Sequence, residues 1–163
     1  MQEILNKKKI DQKLVRLAHQ VLEDAAEISQ IHVVGISGNG MQIALKIQDE
    51  LKQNSDKEVF LHEILLNKEN PLSTPIVLKS TVEFSNAYIV LVDDVLNSGL
   101  TMQYALMKLL EQPVKAVKTV ALVDREHRCY PIKCDFVGMT LSTTLQERVE
   151  VEFGTEDYFA YLV

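Results

Sequence analysis

Apolar positions recur every three or four residues from Ile10 to Ile28, through Leu14, Leu17, Val21, Leu22 and Ala25, which predicts an amphipathic helix with one buried face. The pattern then changes. Ile31 to Ile36 (IHVVGI) is nearly all apolar, as expected of a strand covered on both faces in a parallel sheet. After Ser37-Gly38-Asn39-Gly40, the spacing of Ile43, Ala44, Ile47 and Leu51 predicts a second helix. Glu58 to Leu65 (EVFLHEIL) reads as a second core strand, entered from a turn at Asn54-Ser55. Tyr88 to Val92 reads as a third and Val117 to Val123 as a fourth. The helix between them carries Met102, Ala105, Leu106 and Leu109 on one face and stops at Gln112-Pro113. Alternation of strand and helix predicts an α/β fold, an open parallel sheet flanked by helices on both faces.

The remaining stretches are less regular. From Asn67 to Thr81 (NKENPLSTPIVLKST) the periodicity is lost around Pro71 and Pro75, which predicts a lid or an irregular excursion. Val77 to Phe84 is expected to add a short strand outside the main sheet. Val149 to Phe153 (VEVEF) reads as a closing strand, and Tyr158 to Val163 as an apolar tail covering an edge or a subunit contact. At 163 residues the chain is expected to form one domain, residues 1–163. Its net charge of −6 gives no overall basic footprint for nucleic acid or an acidic membrane. The N-terminal MQEILNKKKI lacks an apolar core of the signal-peptide kind, and no run approaches a membrane span. A cytoplasmic protein is expected. Cys129 and Cys134 have no second Cys/His pair to complete a zinc set, and both read as packing residues.

The candidate chemistry follows the third strand. Two adjacent carboxylates, Asp93 and Asp94, come first, and the polar turn Asn97-Ser98-Gly99-Leu100-Thr101 then leads into a helix. Gly99 allows a tight turn, Ser98 and Thr101 add hydroxyls, and the helix start supplies unpaired N–H groups, which together make a phosphate cradle. The acids cannot bind that phosphate, but they can accept hydrogen bonds from sugar hydroxyls beside it. A sugar phosphate is the implied ligand. Paired acids after a strand also occur in phosphorylated receiver domains and in magnesium-binding strands of NTPases; the polar turn separates this chain from both. The earlier loop Ser37-Gly38-Asn39-Gly40 repeats the strand–glycine–helix layout, but it contains neither G-x-G-x-x-G nor a P-loop, and a structural tight turn is the competing reading.

With its acids, apolar residues and Ser-Gly-x-Thr turn, the stretch YIVLVDDVLNSGLT resembles the PRPP-binding motif of the phosphoribosyltransferases. Further elements resemble the PyrR type within that family, uracil phosphoribosyltransferases that also regulate pyrimidine operons by binding messenger RNA. These are VDDVL, the VDREHR of Val123 to Arg128, the PIKCDFVG of Pro131 to Gly138, and Arg16-Leu17-Ala18-His19 in the first helix. The resemblance covers nearly the whole chain. It implies a phosphoribosyltransferase-like fold with a small hood, PRPP and a nucleobase such as uracil as substrates, and Mg²⁺ as cofactor, held through PRPP and by Asp93 and Asp94. It also implies the site. Asp93 and Asp94 would hold the ribose and lie near the forming cation. Val95, Leu96, Asn97, Ser98, Gly99, Leu100 and Thr101 would bind the 5′-phosphate, and Ser37, Gly38, Asn39 and Gly40 the pyrophosphate. The hood would be built from the chain around Asp124, Arg125 and Leu141 to Thr144, and Asp124, Arg125, Leu141, Ser142 and Thr143 would line the base beneath it. Arg125, His127, Arg128 and Lys133 would form an RNA face; the competing reading pairs Arg125 and Arg128 with Glu126 or Asp124 at an exposed turn. The apolar tail and long helices predict a homodimer or higher homo-oligomer.

Three departures from the family pattern bear on turnover. The pyrophosphate loop is neutral where the family has Arg or Lys, and the segment from Asn67 to Ser80 offers only Lys68 and Lys79 in place of an arginine. Leu100 stands where PyrR-type proteins commonly carry arginine. A hydrogen bond to a charged group is worth about 1.5–3 kcal/mol, so losing two costs on the order of a hundredfold to several thousandfold in transition-state binding unless Mg²⁺ or Lys68 compensates. Two alternatives therefore stand beside the enzyme: an RNA-binding regulator of pyrimidine genes, and a nucleotide or PRPP sensor with little catalysis.

Overall fold

A computed structural model describes all residues, Met1 to Val163. The first helix, α1 (Lys7–Asp24), begins a turn earlier than the apolar spacing predicts, because Asn6 caps it by accepting the Lys9 N–H at 3.0 Å. It ends before Ile28, which packs against the core from the connection that follows. Strand β1 (Gln2–Leu5) precedes it, and β2 (Gln30–Ile36), α2 (Asn39–Gln53) and β3 (Glu58–Leu65) follow. Next come β4 (Val77–Lys79), β5 (Tyr88–Leu96), α3 (Leu100–Leu109), β6 (Ala116–Asp124) and β7 (Phe136–Thr140). The chain closes with β8 (Val149–Phe153) and β9 (Tyr158–Leu162).

The main sheet has six strands in the order β4-β3-β2-β5-β6-β7. All pair in parallel except β4, which is antiparallel to β3. The expected strand outside the sheet is thus its edge, shortened to three residues; Phe84, beyond it, is wholly buried. The uninterrupted apolar runs of β2, β5 and β6 have cores on both faces. One core joins α1 and α2 to Val33, Val90, Val92 and Leu122, and the other joins α3 to Val34, Ile89 and Leu91.

Strand order places the site. From β2 the chain moves outward to β3, whereas from β5 it moves the other way to β6 and β7. The carboxyl ends of β2 and β5 are therefore neighbours at the point where the order reverses, the place where open α/β sheets bind ligands. The segment Ser37–Gly40 follows one of these strands, and the other carries Asp93 and Asp94 near its end and runs on into the Asn97–Thr101 turn.

The hood differs in origin from the expectation. It is a three-stranded antiparallel sheet ordered β1-β9-β8, made from the two ends of the chain. The apolar tail is its middle strand, with Leu162 opposite both Gln2 and Val149. The alternation of Val149, Val151, Tyr158 and Ala160 puts these residues in the larger core.

Candidate functional site

Strand β5 runs on to Leu96, so Asp93 and Asp94 lie within its last residues, with Asp93 opposite Ala121 of β6 and Val95 opposite Val123, and not in the loop beyond it. That pairing fixes both carboxylates. Asp93 Oδ1 accepts the Asp94 N–H at 2.9 Å, and Asp94 Oδ1 accepts the Val95 N–H at 2.8 Å. Lys68, from the segment predicted as a lid, bridges the pair at 2.9 Å from Asp93 Oδ1 and 3.7 Å from Asp94 Oδ1. Lys79 instead pairs with Glu63 at 3.7 Å on the sheet edge. Burial, and then the neighbouring Asp94 charge, push the Asp93 carboxyl up to about 7, with Lys68 pulling the other way.

Past β5, Gly99 adopts a left-handed conformation (φ 88°) ahead of α3. A Cβ there would stand 2.5 Å from Ile132 Cγ2, so the position requires glycine for space as well as backbone. The Ser98 carbonyl accepts the N–H groups of Cys129 and Tyr130 at 2.9 and 3.0 Å. These contacts hold the turn from behind. Asn97, Ser98, Gly99, Leu100 and Thr101 all line one cavity of about 460 Å³ with Asp93 and Asp94, a volume suited to a nucleotide-sized ligand.

The earlier glycine loop meets the same cavity through one residue only. Asn39 lines it; Ser37, Gly38 and Gly40 do not. Asn39 Nδ2 donates to Asp94 Oδ2 at 3.0 Å and to the Val151 carbonyl of the hood at 2.6 Å. Gly40 lets α2 approach β5 closely, since a Cβ there would lie 3.0 Å from Asp93 Oδ1. The far wall is β8, through Val149, Glu150, Val151 and Glu152. β8 pairs on one side only, and its free edge meets the site. Sequence reading missed this wall; VEVEF announced a strand but not its position.

The residues expected to line the base lie elsewhere. Asp124, Arg125, Leu141, Ser142 and Thr143 are absent from the cavity wall. Arg125, only 8% exposed, braces the molecule: Nε reaches Thr143 Oγ1 at 3.1 Å, Nη1 reaches Asn97 Oδ1 at 3.0 Å, and Nη2 donates to the Glu147 carbonyl. Asp124 Oδ2 accepts Arg128 Nη2 at 2.6 Å, and Ser142 Oγ donates to Glu126 Oε2 at 3.1 Å. The Leu141 N–H donates to the Asp124 carbonyl at 2.8 Å. The expected RNA face is changed by the same bonds. Arg125 is internal, Arg128 also donates to the carbonyls of Asn97 and Ile132, and His127 Nε2 lies 2.8 Å from the Thr143 carbonyl. Lys133 is exposed. Of the two cysteines, Cys134 is buried against Met102, whereas Cys129 is exposed and does not serve packing.

A mainly parallel sheet with a glycine turn and paired acids at its switch point, under a hood of terminal strands, is the architecture of an α/β protein with its ligand site at the strand ends. The phosphoribosyl transferase domain model matches residues 1–156. Two relatives called "Bifunctional protein PyrR" span nearly all of the chain. That of Haemophilus ducreyi is 33% identical over 95% of this chain and 90% of its own length. That of a Thermoanaerobacter species is 34% identical over 91% and 88%. The chain therefore belongs to the type I phosphoribosyltransferase family, on its PyrR side. Solved structures share the fold at low identity. Trypanosoma cruzi hypoxanthine phosphoribosyltransferase superposes with a TM-score of 0.80 at 13% identity, covering 98% of this chain and 95% of that one. A Bacillus anthracis hypoxanthine-guanine phosphoribosyltransferase gives 0.71 at 20% identity, covering 86% and 82%.

Proposed function

We propose that this chain transfers ribose 5-phosphate from PRPP to a nucleobase, a pyrimidine such as uracil, with release of pyrophosphate. The observation that carries the reading is the meeting of Asp93, Asp94 and the Asn97–Thr101 turn in one cavity. The turn's N–H groups and the hydroxyls of Ser98 and Thr101 hold the 5′-phosphate. The two carboxylates take the ribose hydroxyls, exchanging Lys68 and Asn39 for them, and their charge lies beside the cation that develops at C1. The base rests against the free edge of β8. No covalent intermediate is required, so the protein's work is alignment and fixed charge.

Mg²⁺ fits this site as a companion of the substrate. Lys68 Nζ already bridges Asp93 and Asp94 as a cation, whereas no cluster of three or more His, Cys, Asp or Glu could cage a metal alone. Asp93 and Asp94 would hold the ion with the oxygens of PRPP, where it supplies positive charge to the leaving pyrophosphate. We read residues 1–163 as one such domain, working in the cytoplasm as a homo-oligomer. Leu72, Met107 and Leu110, at 77, 53 and 56% exposure, supply apolar surface for self-association.

A second role in RNA binding is favoured by one feature of α1. Lys9, Lys13 and Arg16 line a cleft of about 510 Å³ that has no acidic residue in its wall. Burial lowers the pKa of Lys13, as does repulsion from Arg16 and Lys9, a strain that a phosphate would relieve.

The test of the enzymatic reading is a coupled assay with PRPP, Mg²⁺ and a panel of bases. The expected result is pyrophosphate release with a pyrimidine, and a loss of at least about a hundredfold in the Asp93→Asn, Asp94→Asn double variant. Equal activity in that variant would place the site elsewhere.

A further inference from the structure

Arg125 stands outside the cavity wall, yet one of its hydrogen bonds reaches a residue inside it. The ends of β5 and β6 lie side by side, with Leu96 opposite Asp124, and the Arg125 N–H closes the pair by donating to the Leu96 carbonyl at 3.0 Å. From that anchor the side chain turns inward and is buried. The connection between β7 and β8 holds its guanidinium from one side, through Nε to Thr143 Oγ1 at 3.1 Å and Nη2 to the Glu147 carbonyl. On the other side Nη1 donates to Asn97 Oδ1 at 3.0 Å.

That last bond settles what Asn97 can offer. A guanidinium has donors and no acceptor, so the amide must turn its oxygen toward Arg125. Its nitrogen, Nδ2, makes no hydrogen bond to the protein and is left for the cavity that Asn97 lines. Arg128 already fixes the backbone of this residue, with Nη1 donating to the Asn97 carbonyl at 2.9 Å. The side chain itself is exposed, and without Arg125 it would rotate in water and show a phosphate its oxygen as readily as its nitrogen. Ser98, Gly99, Leu100 and Thr101 carry no side-chain N–H. Ser98 Oγ also accepts the Leu100 N–H at 3.3 Å, which withdraws one backbone donor from the turn.

We propose that Arg125 is a positioning residue for the phosphate: it holds the Asn97 amide so that Nδ2 faces the ligand as a donor, and does not touch the ligand itself. The inference rests on the sugar-phosphate reading above and adds to it a donor made by orientation, in a turn that carries no cation. An amide fixed before the ligand arrives spares the complex the cost of ordering it. The same guanidinium holds the Glu147 carbonyl just ahead of β8, so one side chain braces the phosphate turn and the hood wall together.

The test is a double-mutant cycle read by titration calorimetry, with ribose 5-phosphate as the probe. Arg125→Met and Asn97→Ala are each expected to weaken binding about fivefold or more. Because both remove the same donor, the double variant is expected within about twofold of the weaker single one. If Arg125 served the fold alone, the two losses would multiply. Arg125→Lys, a point charge that cannot serve Thr143, Glu147 and Asn97 at once, takes the place of the methionine variant if that one does not fold. Nitrogen-15 NMR supplies a second readout: the Asn97 side-chain amide signal, identified by its loss in Asn97→Ala, is expected to shift when ribose 5-phosphate is added to the wild type. Losses that multiply, no loss in a folded single variant, or an Asn97 amide signal unmoved by ribose 5-phosphate overturns the proposal and leaves the sugar-phosphate reading standing. Failure of the wild type to bind ribose 5-phosphate at all overturns both.

Discussion

Asp93 is held almost wholly out of water, its side chain 5% exposed, beside a second carboxylate. Its carboxyl is raised from 3.8 to about 7 by burial and by Asp94. A carboxyl whose folded pKa lies above its unfolded value contributes stability at low pH that is lost as pH rises through the folded value. Asp93→Asn removes the titrating charge and keeps the shape. Its stability advantage over the wild type is expected to grow from about pH 4 to about pH 7 and then level off, reaching about 1–3 kcal/mol by urea denaturation. The same variant is expected to lose ribose 5-phosphate affinity, measured by titration calorimetry. A variant no more stable than wild type at pH 8 would show that Lys68 fully offsets the burial of this charge. Gly99 illustrates the same tension between fold and site in steric terms, since its left-handed backbone and the nearness of Ile132 both exclude a side chain.

Within elements, the neighbouring strands β2 and β3 hold a buried histidine pair far from the phosphate turn in sequence. His32 Nδ1 and His62 Nε2 lie 3.0 Å apart, stacked with each other, with Phe60 against His32 and the edge of Phe84 against both. A hydrogen bond between them needs one ring nitrogen to donate and the other to accept, which neutral imidazoles provide. Burial, then the proximity of His32, lowers His62 from 6.5 to about 4. A base with a depressed folded pKa contributes stability that is present above pH 6.5 and lost as pH falls toward 4. The acid loss is expected to approach about 3 kcal/mol. Thermal unfolding of His62→Gln, which keeps a hydrogen-bonding amide without titrating, should show a flatter acid limb than the wild type. An identical limb would assign acid sensitivity to other groups.

Across the whole molecule, charge is unevenly placed. The chain carries −6 overall, yet Lys7 to Arg16 contains five cations against Asp11 alone. Phosphate contacts dominate nucleic-acid affinity and weaken steeply with salt. If the α1 cleft holds RNA, pyrimidine-leader RNA should bind in filter assays at low salt. Combined Lys9→Gln and Lys13→Gln should reduce the salt slope by about two. An unchanged slope, or no binding at low salt, would remove the RNA role without touching the cavity between β2 and β5. The two surfaces are separable because α1 meets β7, where Arg16 donates to the Val137 and Gly138 carbonyls, while the cavity opens beside β5 and β8.

Periodicity alone determined the helices and the buried parallel strands, because a two-sided core demands continuous apolar runs and a one-sided helix demands spacing of three and four. The paired acids and the turn after them were legible for a similar reason: each of their local demands, a strand end, a left-handed glycine and a helix start, is written in adjacent residues. Tertiary structure decided everything that joins distant segments. Strand order placed Asn39 beside Asp94 and Val151, 55 and 112 positions away. It drew both chain ends into the hood, turned Arg125 inward onto Asn97, Thr143 and Glu147, and set Lys68 across the two aspartates. Such contacts depend on which strands lie side by side, and the hydrophobic pattern of a single strand is the same whichever neighbour it has.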